Sequence, residues 1–271
     1  MQGWKHFIPT EKKIAYINQL LKVGFDTIDF GSFVSPKAIP QMADTKEVAG
    51  ELSMVNTNTK LLAIIANTRG AQDAAEFEKI SYLGFPFSVS PTFQMRNANS
   101  TIKESLERVK EIKAICDKNN KEFVVYISMA FGNPYGDDYN ENIVLDWINK
   151  LVGEGINIIS LADTVGLAHP SQISSLVKKT ILTFPDIETG VHLHSTSFNW
   201  KQKIDAALEN GCLRFDGALK GIGGCPMAND ELVGNMNSEL MIPYFQQLGL
   251  LQDINEDELL KAEEMASQIF I

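Results

Sequence analysis

The stretch INIISLADTVGLAHPSQISSLVKKTILTFPDIETGVHLHS, residues 156–195, decides the fold. It opens on a short apolar run (156–161), passes through a helix candidate (170–183) and closes on a second short run (190–194). Runs rich in Val and Ile with little polar alternation are strands covered on both faces, the condition of a parallel sheet. Two such strands joined through a helix make a βαβ unit.

The same alternation extends in both directions. Strand candidates occupy residues 27–31, 61–66, 85–89, 123–128 and 214–217, and helix candidates 45–52, 71–79, 101–118, 141–153 and 200–209. A first helix spans 10–23, with Thr10 as its expected N-cap and Gly24 as its stop, and two more (238–248 and 256–269) close the chain. Strict β-then-α order leaves an α/β barrel or a doubly wound sheet. No Gly-rich dinucleotide fingerprint follows any strand, which disfavours the second. The expectation is a TIM (β/α)8 barrel forming a single domain over residues 1–271. Seven strands are counted where eight close a barrel, so the first strand is expected to be missing from the chain.

Bulk properties narrow the function. The 271 residues are 44% hydrophobic and 21% charged with net charge −10, and the basic residues are scattered, which argues against a nucleic-acid partner. A local cluster or a metal must then offset the acidic field for any anionic substrate. The cysteines, Cys116, Cys212 and Cys225, are odd in number and lack framework spacing, which points to a reducing compartment. No apolar run reaches the roughly 18 residues of a membrane helix, and residues 1–10 lack the pattern of a signal peptide. The expected address is cytoplasmic, with no membrane partner.

Four segments carry chemistry. In Gly190-Val191-His192-Leu193-His194-Ser195, strand alternation turns His192 and His194 to one face. At a strand's C-terminal end in a barrel they face the mouth, where two imidazoles suit a divalent metal; a hydrogen-bonded polar pair fits the same pattern. In Gly221-Ile222-Gly223-Gly224-Cys225-Pro226, three glycines and a proline shape a loop that holds a thiol beside a ligand or buries it as a small hydrophobe. Asn235, beyond that loop, offers a carbonyl oxygen to a hard metal or stabilises a turn. Asp29 to Lys37 places a carboxylate, two hydroxyls and a lysine where a barrel loop begins. Ser160 to Gly166 ends a strand with Asp163, which faces the mouth or caps the helix near Pro170.

These segments resemble the 3-hydroxy-3-methylglutaryl-CoA lyase family, a branch of the metal-dependent TIM-barrel lyases and Claisen-type synthases. The resemblance rests on Ser32 to Asp44 (SFVSPKAIPQMAD), Gly132 to Gly136 (GNPYG), the ADTVG stretch, the HxH pair and the GGCP loop, in the family's order and spacing. It implies an acyl-CoA substrate, Mg²⁺ or Mn²⁺ as cofactor, and a homodimer. It implies His192, His194 and Asn235 as metal ligands, with His192 also receiving the substrate's hydroxyl proton. It further implies Cys225 as the catalytic thiol, Asp29 in place of a catalytic glutamate, Asp163 beside the reaction centre, and Asn97 and Ser160 on the substrate side.

The chain departs from the family in places. Asp29 is one methylene shorter than the usual Glu, Ser195 replaces an Asp that commonly follows the HxH pair, and Pro91 stands where a Glu is common. The loop from Cys225 to Asn235 is one residue longer than in the animal enzymes. The family's Arg-Asp pair, which would polarise the substrate and supply a metal ligand, is expected just upstream of Met1. Two other readings fit the same motifs: a condensing synthase of the same superfamily, and a non-catalytic truncated barrel.

Overall fold

The computed structural model describes residues 1–223 and 234–270. Its strands are β1 (Thr27–Phe33), β2 (Lys60–Ile65), β3 (Ile80–Ser88), β4 (Glu122–Ser128), β5 (Ile158–Ala162), β6 (Glu188–His192) and β7 (Arg214–Phe215). Its helices are α1 (Thr10–Leu20), α2 (Thr45–Glu51), α3 (Thr68–Ala75), α4 (Pro91–Ala98), α5 (Ile102–Lys118), α6 (Glu141–Gly153), α7 (Pro170–Thr183), α8 (Trp200–Leu208), α9 (Ser238–Gln247) and α10 (Glu256–Ile269). The seven strands follow one another in the sheet in chain order, and the recorded pairings are parallel. A doubly wound sheet reverses its order at a switch point, and this one does not. The connectivity is that of the expected (β/α) barrel.

The chain divides into two compact units. One comprises Met1–Leu83, Ile115–Glu122 and Ser238–Ile271. Here α1 is tied to α10: Gln19 Nε2 donates to the Glu258 carbonyl at 2.9 Å, and Trp4 and Tyr16 meet the Phe270 ring edge-on. Gly70 lets α3 pass β1, since a Cβ there would stand 2.3 Å from the Phe33 carbonyl oxygen. The N-cap of α1 is Pro9 rather than Thr10, whose hydroxyl instead donates to Asp44 at 2.9 Å. A tertiary partner took the side chain away from its local role.

The other unit comprises Gly84–Ala114 and Phe123–Asn237. Strands β4 and β5 are almost wholly buried, and Phe85, Phe87, Phe123 and Trp147 pack as two tilted ring pairs. Helix starts are set by local capping: Ser90 Oγ accepts the Phe93 N–H and Asn140 Oδ1 accepts the Ile143 N–H. Helix α4 has no counterpart among the sequence expectations, although Ser90-Pro91 is a helix-start signal. β3 also begins earlier than the expected 85–89, at Ile80, so that Gly84 lies within the strand.

Candidate active site

His192 ends β6 and pairs in register with Ala162 at the end of β5, and its carbonyl accepts the Asp163 N–H at 2.9 Å. Its ring is held on two sides. Nδ1 lies 2.9 Å from Asp216 Oδ2, just past β7, and the Tyr126 ring of β4 meets it edge-on at 5.8 Å between centroids. One row below, Tyr126, Ser160, Gly190 and Arg214 are mutual register partners across β4 to β7. Gly190 is required there because a Cβ would stand 2.9 Å from Arg214 Cδ.

The strand stops at His192, so His194 is positioned by other means. It is 3% exposed, and its ring centroid lies 5.4 Å from that of His192. An isolated antiparallel bridge joins it to Asn235, and Ser195 N–H donates to the Gly234 carbonyl at 3.0 Å. Asn235 Nδ2 donates to the Ile222 carbonyl at 3.1 Å, which leaves Oδ1 as the amide's acceptor atom.

The glycines explain how the two stems of the loop approach so closely. A Cβ on Gly221 would lie 3.1 Å from the Asn235 carbonyl oxygen, and one on Gly234 2.8 Å from the Gly221 carbonyl oxygen. Gly223, at φ +129, would place a Cβ 2.2 Å from Asn235 Nδ2. Gly223→Ala is therefore expected to displace the Asn235 side chain, and a left-handed backbone alone adds about 1–2 kcal/mol of strain. Urea unfolding together with Mn²⁺ titration checks this; unchanged values in both would remove Gly223 from the site.

Asp163 is 2% exposed and both its oxygens are engaged. Oδ1 accepts the Ala168 N–H at 3.0 Å, and Oδ2 lies 2.7 Å from Nζ of Lys203 on α8. Asp163 thus pins the loop before α7, whose N-cap is His169. The neighbouring Thr164 hydroxyl accepts the N–H of Met129, which turns the end of β4 at φ +61. Such strained non-glycine backbone persists only where surroundings fix it.

The remaining expected residues fall as follows. Ser160 on β5 is buried, and its hydroxyl has no hydrogen-bond partner among the described residues. Asn97 is half-buried in the last turn of α4, and no recorded contact links it to the histidines. The start of α4 is tied to the 132–137 loop, where Asp137 accepts from Ser90 Oγ and from the Thr92 N–H and hydroxyl. Burial works against the Asp137 charge, yet these donors and Arg96 hold its carboxyl below its usual range. Asp29 is exposed on β1, at a step in the pairing with β2, and belongs to the first unit. Cys225 lies outside the described residues. Cys116 and Cys212 are buried, and desolvation pushes the Cys212 thiol up to about 12.

Three side chains of this site were not anticipated: Asp216, Tyr126 and Lys203. Asp216 sits in an expected strand segment two residues beyond Arg214, so alternation alone would give them one face. Nothing local marks a lysine in an amphipathic helix as buried. Among the described residues no three His, Cys, Asp or Glu side chains are placed to hold a metal. The candidate donor set is two neighbouring imidazoles, with Asn235 bridged to the second.

Comparison with known proteins bears on what such a set does. The model of the family described as HMGL-like matches residues 1–266. A hydroxymethylglutaryl-CoA lyase of Bacillus subtilis is 32% identical over 262 residues, covering 97% of this chain and 87% of that one. An (R)-citramalyl-CoA lyase of Chloroflexus aurantiacus is 31% identical, covering 94% and 83%. An HMG-CoA lyase structure from Acinetobacter baumannii, in complex with coenzyme A and 3-methylmalate, superposes with a TM-score of 0.91 at 31% identity, covering 99% of this chain and 87% of that one.

Proposed function

The chain belongs to the HMGL-like family, and from that premise we propose that it is a carbon–carbon lyase cleaving 3-hydroxy-3-methylglutaryl-CoA into acetoacetate and acetyl-CoA. Near-full-length similarity to lyases of that name supports the substrate. The observation that carries the site is the backbone bridge between His194 and Asn235, which brings two donor candidates together from distant parts of the sequence. A single barrel domain over 1–271 is part of this reading, as are a cytoplasmic address, read from the cysteine usage, and a homodimer, taken from the resemblance.

His192, His194 and the Asn235 amide oxygen fit a divalent cation, Mg²⁺ or Mn²⁺, because nitrogen and oxygen donors of this kind suit such ions. When bound, the cation would polarise the substrate oxygens and lower the cost of deprotonating a tertiary alcohol. That cost is high, since a hydroxyl proton in bulk water is held far above neutral pH. Asp216 takes Nδ1 of His192, so ligation and proton acceptance both fall to Nε2, and one lone pair serves only one role at a time. Nε2 would hold the cation together with the neighbouring His194 ring, or would accept the substrate's hydroxyl proton, with Asp216 then facing the imidazolium. Cys225 is the acid that protonates the departing acetyl-CoA enolate. Ser160, whose buried hydroxyl has no partner among the described residues, and Asn97 contact substrate, Asp163 orders the adjoining loop, and Asp29 stands in for the usual glutamate.

The test is acetoacetate release from 3-hydroxy-3-methylglutaryl-CoA with and without Mg²⁺ or Mn²⁺. Metal-dependent release is expected. Turnover of citramalyl-CoA alone would overturn the substrate, and condensation of acetyl-CoA with a 2-oxo acid would put the synthase reading ahead. His194→Ala is expected to weaken Mn²⁺ binding, followed by titration of the metal-free protein; unaltered affinity would make the pair structural.

A further inference from the structure

Lys203 has no role in the reading above, yet it is among the most deeply buried charges in the chain. It is 1% exposed, and its ammonium offers three donors. Three acceptors from two segments surround it: Asp163 Oδ2 at 2.7 Å and the Gly166 carbonyl at 3.4 Å in the loop after β5, and the His194 carbonyl at 2.7 Å past β6. Burying an ion is costly unless paired and fully hydrogen-bonded, so this ion is stable only while α8, the loop after β5 and the segment past β6 stay together.

What it joins is the end of β5 with its loop and the segment just past β6. Strand β6 does not reach that second segment, because it ends at His192. Past the strand, His194 is held by the bridge to Asn235 on one side and by the Lys203 ammonium on its carbonyl. We propose that Lys203 is a positioning residue for the cation site: its ammonium sets His194, and through the bridge Asn235, against the ends of β5 and β6. This rests on the metal-site reading.

Charge and position predict opposite effects, which makes the proposal decidable. Removing a cation beside a metal site raises metal affinity by charge alone, because the Asp163 carboxylate is left uncompensated. Loss of positioning lowers it. Lys203→Met keeps the length of the stem and removes the donors, and groups that orient ligands are typically worth about 10–100-fold in metal affinity. The experiment is Mn²⁺ titration of the metal-free full chain, read by the electron paramagnetic resonance of free Mn²⁺. Affinity is expected to fall about 10–100-fold in Lys203→Met. It is expected to stay low in Lys203→Met/Asp163→Asn, where no buried charge is left alone and thermal stability recovers. Unchanged or tighter binding in a folded Lys203→Met overturns the proposal. If that variant does not fold, wild-type affinity in the double variant overturns it. The wild type and His194→Ala run alongside: equal affinity in those two sinks the metal site itself, whereas a difference there with Lys203 silent sinks only this inference.

Discussion

Asp216→Asn is expected to reduce turnover by about 10²–10⁴-fold, with the fold unchanged. The reason is tautomeric. In the native site the carboxylate only accepts, so His192 Nδ1 carries the hydrogen and Nε2 presents a lone pair. An asparagine amide in the same place donates to Nδ1 and moves the hydrogen to Nε2. That single change blocks both ligation and proton acceptance at Nε2. Mn²⁺ affinity is expected to fall by about 10–100-fold. Long-range ¹⁵N–¹H correlation of His192 in the metal-free protein reads the tautomer directly. Near-wild-type turnover, or an unchanged tautomer, would remove Asp216 from the mechanism.

Cys225→Ala should lower turnover by a similar margin, about 10²–10⁴-fold, for a different reason. Cleavage generates an enolate that must be protonated before release, and alanine offers no proton. The donor set proposed for the cation does not include the thiol, so Mn²⁺ affinity is expected to be unchanged. Cys212 does not substitute, because it is buried with its thiol donating to the Thr189 and Arg214 carbonyls. The two variants thus separate by their metal titrations: Asp216→Asn loses affinity and rate together, whereas Cys225→Ala loses rate alone. Full activity of Cys225→Ala would end the acid assignment.

Much of this was legible in the chain. Alternating apolar runs and amphipathic segments specify the β-then-α order, because burial on both faces and on one face leave different periods in a sequence. Asn140 and Asn255 cap their helices through contacts within four residues, which is why the bounds of α6 and α10 were readable. The HxH spacing made the two imidazoles legible as neighbours, but β6 ends at His192, and the bridge to Asn235 rather than strand alternation places His194.

What tertiary structure alone decided are the partners that arrive from elsewhere in the chain. The Asp216 carboxylate on His192 Nδ1, the Lys203 ammonium on the His194 carbonyl and the Asn235 bridge all join residues whose neighbourhood is set by strand pairing and helix packing. Lys203 shows the limit most plainly. In sequence it is one polar position of a helix, and only the acceptors supplied by the loop after β5 and the segment past β6 allow its charge to be buried. Thr10 shows the converse, a local capping signal that lost to a distant carboxylate. Local periodicity fixes which residues become strand and helix, because those energies are short-ranged. The roles of charged side chains depend on desolvation and pairing, which exist only once the chain has brought its distant segments together.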